Sequence, residues 1–301
     1  MPTQQMLLGA GSVTAAPGQA DLAPGTTSWT VPAGVTSVSV VCIGAGSVGA
    51  TGYGGGGGGL VYGNNISVTP GTSISVQVPD QRLLSTGSNV SADAYFNSTS
   101  VLVAYGGATS GTGQTGGTTG GSAKTAGNDG GTGGAVYNSW GIARPGGGGG
   151  AAGYVTDGGN GGAGGANDGI SGHLPSGGDG AGGGGGGEGS TGVRYGGGGG
   201  GSHTTGHAYN NGLGYYGGNN AGVGGAYGST NGDPGGQGQV NAVTQPYLNT
   251  TSESWGHPCG GGAGGLVGST STNFSRGGKG AVRIMWPGDT RSYPSTNVED
   301  E

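Results

Sequence analysis

The side chains able to do chemistry in this sequence are few and widely spaced. Four histidines, His173, His203, His207 and His257, lie in its second half, with Cys259 two residues beyond His257. A structural zinc site draws three or four such ligands from paired motifs. His203 and His207 would share a face only on a helix, and no CxxC accompanies them. They read as loop histidines, and no metal or cofactor is expected. The carboxylates Asp157, Asp168, Asp179, Glu188, Asp233 and Glu253 are never close in sequence. A glycosidase needs two that the fold brings together, and nothing here indicates such a pair. GxGxxG matches occur around Gly44 and Gly161, but without a strand–helix context they carry no nucleotide-binding signal. Sequons at Asn65, Asn89, Asn97, Asn249 and Asn273 are near chance in a chain rich in Ser and Thr. Cys42 and Cys259 are expected as free thiols, since two cysteines make no disulfide framework. No catalytic residue is assigned, and a non-enzymatic role is expected.

The positive signal is aromatic. Between residues 106 and 265, glycine runs alternate with short inserts that hold nearly all the rings and charges of that region. Rings and hydrogen-bonding groups on loops, held by a rigid frame, offer large contact area at low entropic cost. The candidate binding residues are Tyr137, Trp140, Arg194, Tyr195, His203, Tyr209, Tyr215, Tyr216, Tyr247 and Trp255. The inserts 202–216 and 239–259 are the longest. Some of these rings serve instead to cap the glycine region and shield its backbone.

These inserts need a frame, and composition limits what it can be. Gly occupies 87 of 301 positions, while 30% of residues are hydrophobic and 7% charged. A single large apolar core is excluded, as is a helical fold, because Gly costs about 1 kcal/mol per helical position. Collagen requires Gly at every third place with abundant Pro; here Gly comes in unbroken runs with 13 Pro. The net charge of −6 and eight dispersed Lys and Arg give no basic stripe for nucleic acid. No apolar run is long enough for a spanning helix. The start Met1-Pro2-Thr3-Gln4-Gln5 has no signal-peptide character, so synthesis in a cytoplasm without a signal peptide is expected.

Strand signals lie at the two ends of the sequence. Val35 to Ile43, Leu60-Val61-Tyr62, Ile66-Ser67-Val68, the alternating Ser73 to Val78, Ala94-Tyr95-Phe96, Val101 to Tyr105 and Ala281 to Trp286 all read as strands. The Pro70-Gly71 pair marks a turn. Val38–Ile43 runs into glycine and Ala281–Trp286 emerges from it, so the two are expected as antiparallel neighbours. The expected fold is all-β. A β-sandwich base comprises 29–105 plus 266–288, residues 1–28 form a lead-in or docking segment, and 289–301 form a polar acidic tail. Residues 106–265 form a glycine array without regular helix or conventional sheet. Glycine chains in an extended threefold helix can pack backbone to backbone, satisfying one another's N–H and C=O groups. A β-carbon inside such a bundle would force the rods apart, as Gly184→Val in the run 182–187 would do.

The segments Val38-Ser39-Val40-Val41-Cys42-Ile43-Gly44-Ala45-Gly46 and Gly278-Lys279-Gly280-Ala281-Val282-Arg283-Ile284-Met285-Trp286, bracketing glycine arrays, resemble the glycine-rich domain of bacteriophage tail-fibre proteins. The ending Arg291-Ser292-Tyr293-Pro294-Ser295-Thr296-Asn297 resembles the tails of such proteins in marine cyanophages. The array is similar to the polyglycine II sandwich of T-even-like tip adhesins. The resemblance implies a virion structural protein, a tail fibre or receptor-binding adhesin, whose distal loops attach to the bacterial surface. Its partners would be a surface polysaccharide or outer-membrane protein and other virion tail or fibre proteins, with no nucleic acid. A monomeric tip and a homotrimer both stay open. The alternatives are a purely architectural component, such as a capsid decoration or self-assembling surface filament, and a polysaccharide depolymerase. No fibre-attachment helix is recognisable in 1–28.

Overall fold

The computed structural model describes residues 15–47, 53–79, 93–108, 115–135, 137–139, 142–144, 146–161 and 279–294. No helix occurs among the described residues. The strands are β1 (Gly18–Leu22), β2 (Ser28–Thr30), β3 (Ser37–Ile43), β4 (Leu60–Ser67), β5 (Ser73–Gln77), β6 (Ala94–Phe96), β7 (Leu102–Ala104), β8 (Thr119–Gly120), β9 (Ala126–Asn128), β10 (Tyr137–Ser139), β11 (Ile142–Arg144) and β12 (Ala281–Trp286). They form one antiparallel sheet in the order β1-β12-β3-β4-β9, a second in the order β2-β5-β6-β7-β8, and the hairpin β10-β11.

The expected pairing of the segments at 38–43 and 281–286 is observed. β12 lies antiparallel to β3 with Ala281 opposite Ile43, Val282 opposite Cys42 and Ile284 opposite Val40. Side-chain alternation then sorts the first sheet's residues. Val38, Val40, Cys42, Val61, Val282 and Ile284 meet Trp29, Val76, Phe96 and Leu102 of the second sheet in one core. Val41, Ile43, Leu60, Tyr62, Ala281 and Met285 point the other way and are also buried, beneath Ala151, Ala152, Tyr154 and Tyr293. A sheet covered on both faces needs apolar residues at successive positions, which is why β3 reads as a continuous β-branched run. β5 is covered on one face, so Ile74 and Val76 pack inward while Ser73 and Ser75 are exposed. Cys42 is a free thiol in the core, and burial pushes its titration far above the ordinary range.

Two expectations are corrected. The lead-in 1–28 contributes β1, which pairs with β12 along its whole length and places Leu22 in the core. Its two inward apolar residues, Ala20 and Leu22, are too weak a pattern to announce a strand. The region 106–265 is not free of conventional sheet: β8 pairs with β7 and β9 with β4, extending both sheets with residues rich in Gly and Thr. The start of the polar tail packs on the fold. After β12 the chain folds back, and Arg291 and Tyr293 are buried. The Arg291 guanidinium donates to Gly18 O at 2.7 Å and Gln19 Oε1 at 2.8 Å. Asn64 exchanges two hydrogen bonds with the Tyr293 backbone, at 2.7 and 2.9 Å. The Tyr293 ring stacks on Tyr154 at 5.8 Å and lies 6.0 Å from Tyr62.

The sandwich has two unlike ends. At one, tight turns join β2 to β3, β4 to β5, β6 to β7 and β8 to β9; in the second, Gly71 supplies a φ of 77°, as a Pro-Gly turn requires. At the other, β3 runs directly into glycine, β7 and β9 do so after one residue, and β4 and β8 emerge from glycine-rich segments.

Among the described residues, seven short glycine-rich segments lie against one another at that end: 44–47, 54–59, 105–108, 115–118, 129–135, 146–150 and 157–161. They are joined by backbone hydrogen bonds that recur every third residue. Gly54 and Gly57 donate to Gly134 and Gly131, at 3.0 and 2.9 Å. Gly131 and Gly134 donate to Gly150 and Gly147, and Gly158 and Gly161 donate to Asp129 and Thr132. The segments 54–59 and 146–150 are unbroken glycine and wholly buried. The peripheral ones read Thr115-Gly-Gly-Thr118, Asp129-Gly-Gly-Thr132-Gly-Gly-Ala135 and Asp157-Gly-Gly-Asn160. In each the side-chain-bearing residue is exposed and the glycines turn inward. A β-carbon on Gly116, Gly130, Gly131 or Gly133 would overlap the backbone carbonyl of Gly130, Gly57, Gly159 or Gly54 respectively. Glycine is required wherever the backbone of one segment rests on another.

Candidate functional site at the far ends of the glycine segments

Chain direction through the glycine segments fixes what they present. The segment 129–135 leaves the sandwich at Asn128, the end of β9. The segment 146–150 returns antiparallel to it, with Gly134 bonded to Gly147 and Gly131 to Gly150. It ends at Ala151 and Ala152, packed on the first sheet. Between them lies the β10-β11 hairpin, with Tyr137 opposite Arg144 and Ser139 opposite Ile142. The hairpin therefore sits beyond the far end of the segments, away from the sandwich. From Tyr154 the chain turns and runs outward again through 157–161.

Of the sequence-derived candidates, the structure places Tyr137 at this far end, on β10. Trp140, Arg194, Tyr195, His203, Tyr209, Tyr215, Tyr216, Tyr247 and Trp255 lie outside the described residues, as do the four histidines and Cys259. Among the described residues no group of three His, Cys, Asp or Glu side chains could hold a metal ion.

Two residues that sequence reasoning passed over also lie at the far end. Tyr53 precedes Gly54, whose N–H bonds to Gly134 and whose missing β-carbon would overlap Gly147. Tyr53 therefore stands level with Ala135 and Gly146, at the foot of the hairpin, and is partly exposed. Arg144 is the cross-strand partner of Tyr137. A signal for the hairpin existed in the sequence: two three-residue runs separated by Trp140-Gly141, a two-residue spacing ending in glycine. For Tyr53 the signal was a lone ring interrupting an otherwise ring-free glycine stretch.

The acidic groups on these segments lie at the opposite end, next to the sheet. Asp129 N–H donates to Asp157 Oδ1 at 2.9 Å, and one repeat further along Thr132 N–H donates to Asn160 Oδ1 at 2.9 Å. Both side chains accept a hydrogen bond from a backbone N–H of the adjacent segment 129–135. Burial, then the charge of Asp157, raise the Asp129 titration above the ordinary carboxylate value, while Lys124 opposes them. A carboxyl raised in the fold costs stability once pH climbs through its unfolded value and above, and costs nothing below it. Asp129→Asn is therefore expected to melt higher than the parent at pH 7, with the difference closing by pH 3. A gap that persists at pH 3 would assign the gain to packing instead.

No protein-family model matches the chain, and no curated protein is significantly similar to it.

Proposed function

We propose that this protein is a bacteriophage virion component, a tail fibre or receptor-binding adhesin located on the tail appendage. In this reading the β-sandwich is the base, the glycine segments are the rod, and the loops at the rod's far end contact the bacterial surface. The observation that carries it is the two-ended architecture. Tight turns occupy one end of the sandwich, while glycine segments carry the β10-β11 hairpin away from the other.

The glycine segments are read as a polyglycine II bundle. The three-residue hydrogen-bond repeat supports this, as does the exposure of every third residue on the peripheral segments. The later glycine runs 182–187, 196–201 and 260–265 lie outside the described residues. Such a bundle suits a rod: it is narrow, its backbone groups pair with one another, and it offers a partner little side-chain chemistry. Recognition then falls to the inserts, whose rings can stack on sugars and whose polar groups can reach hydroxyls. No catalytic step is assigned to the chain, and its partners are a surface polysaccharide or outer-membrane protein together with other fibre components.

Binding of the labelled full-length protein to a panel of bacterial cells tests this reading. Replacing Tyr209, Tyr215, Tyr216, Tyr247 and Trp255 together with Ala is expected to lower cell binding at least about tenfold, the scale of losing hot-spot rings. The melting temperature of the sandwich should stay unchanged. Undiminished binding, or localisation of the inserts between subunits of an imaged particle, would favour the architectural alternative.

A further inference from the structure

We propose that Asn160 is a modification site: deamidation through Gly161 to isoaspartate releases the peripheral segment 157–161 from the glycine bundle, and refolding cannot undo it. Asn160-Gly161 is the only Asn-Gly pair among the described residues. Packing imposes the glycine of the pair. A β-carbon on Gly161 would overlap the Gly147 carbonyl, so no bulkier residue can stand there to hinder attack on the side chain before it. Asn160 itself is exposed, so water reaches it.

The chemistry needs water as its sole co-reactant. The Gly161 backbone nitrogen loses its proton to solvent and attacks Asn160 Cγ. The new N–Cγ bond closes a succinimide as the Cγ–Nδ2 bond breaks, and ammonia leaves, taking up a proton in exchange. Water then opens the ring at either carbonyl, giving aspartate or isoaspartate. Thr132 holds both reacting groups off this path. Its N–H and its Oγ1 each donate to Asn160 Oδ1 at 2.9 Å, and its carbonyl accepts the Gly161 N–H at 2.8 Å. Attack therefore waits for the segment to open, a local event that costs less than global unfolding.

The bundle tolerates the two products differently. One repeat earlier, Asp157 Oδ1 accepts the Asp129 N–H and Gly158 N–H donates to Asp129 O, both at 2.9 Å. That is the same arrangement built on a carboxylate, so aspartate at 160 keeps both its acceptor and its register. Isoaspartate routes the main chain through the side-chain carbon. The extra backbone atom adds about 1.5 Å, against a rise of about 3.1 Å per residue. Gly161 then falls out of step with Thr132 O and with the Gly147 backbone on which it rests.

The experiment incubates full-length protein at mildly alkaline pH, folded or in urea, and follows Asn160 by peptide mass spectrometry with isoaspartate-specific methylation. Conversion is expected in urea and should be at least about tenfold slower in the folded protein, where opening must come first. Thr132→Ala removes one of the three restraining bonds and should speed conversion in the folded protein about two- to tenfold, the worth of one hydrogen bond. Thr132→Ser keeps the hydroxyl and should convert as wild type does. Peptide-resolved hydrogen exchange then reads the consequence. The isoaspartate form should lose amide protection across 157–161, while Asn160→Asp retains it. Equal conversion rates in folded protein and in urea overturn the proposal, as does an isoaspartate form whose 157–161 amides stay protected. Loss of that protection in Asn160→Asp also overturns it, because release would then follow from charge and not from the added backbone atom.

Discussion

Gly57→Ala is expected to destabilise the protein by about 3 kcal/mol or more, at or beyond the upper end of typical overpacking costs. Gly120→Ala should be neutral or stabilising by up to about 1 kcal/mol. The two substitutions are chemically identical and differ only in what the new methyl group meets. At Gly57 it would overlap the carbonyl of Gly150, with Ala151 N at 2.9 Å. Those atoms are backbone, and they cannot yield without breaking the bonds from Gly57 to Gly131, Gly117 to Gly57 and Gly131 to Gly150. Rotamer adjustment, the usual relief of an overpacked core, is absent where there are no side chains. At Gly120 the nearest atoms are Val103 Cγ1 at 3.5 Å and Tyr105 Cε2 at 3.9 Å, ordinary contacts, and alanine narrows the unfolded ensemble. Paired thermal melts of the two variants decide the matter. Equal melting temperatures would mean that the glycine segments are not held backbone to backbone. Gly184, which carries the same argument in the sequence, lies outside the described residues.

Loss of β12 is expected to abolish soluble expression. A chain ending at residue 279 would lack the strand that separates β1 from β3. β12 is interior, so its removal opens an unpaired edge on β3 and takes from β1 its five-residue pairing. It also removes Val282 and Ile284 from one core and Met285 from the other. Exposed strand edges of this kind template aggregation. The milder variant Ile284→Ala keeps the pairing and deletes a side chain with no solvent exposure. It should cost about 2–5 kcal/mol, measured by denaturant melts. A soluble, cooperatively folded 1–279 fragment would show that β3, β4 and β9 carry the sheet without β12.

Much of this fold was legible because β-branched runs state their own burial. Val38 to Ile43 and Ala281 to Trp286 are apolar on both faces, and a strand of that kind must lie inside a covered sheet. Their shared approach to glycine from one end was enough to infer their pairing. β1, β8 and β9 were not legible, because Gly-Gln-Ala-Asp-Leu offers only Ala20 and Leu22 as inward apolar positions and Thr-Gly and Ala-Gly-Asn carry no apolar alternation. They are strands because a neighbouring strand offers them hydrogen bonds. The burial of Arg291 and Tyr293 was likewise hidden in a segment that looks like a polar tail. Its partners, Gly18, Gln19, Asn64 and Tyr154, lie far away in sequence.

The sequence by itself determined the class of material: strands where β-branched residues cluster, close-packed backbone where glycine does, and, between residues 106 and 265, rings in the inserts that separate the glycine runs. It also contained the three-residue code of the peripheral glycine segments, Thr-Gly-Gly-Thr and Asp-Gly-Gly-Thr-Gly-Gly-Ala. That code becomes readable once the exposed position of each triplet is known. Only the tertiary structure decided which segments touch, and hence that Tyr53 and the β10-β11 hairpin lie at the far end of the glycine segments while Asp129 and Asp157 lie next to the sheet. The physical reason is that glycine carries no side chain to specify its neighbour. One glycine run can pack against any other. The choice among partners is made by the strands that deliver each run to its place in the bundle.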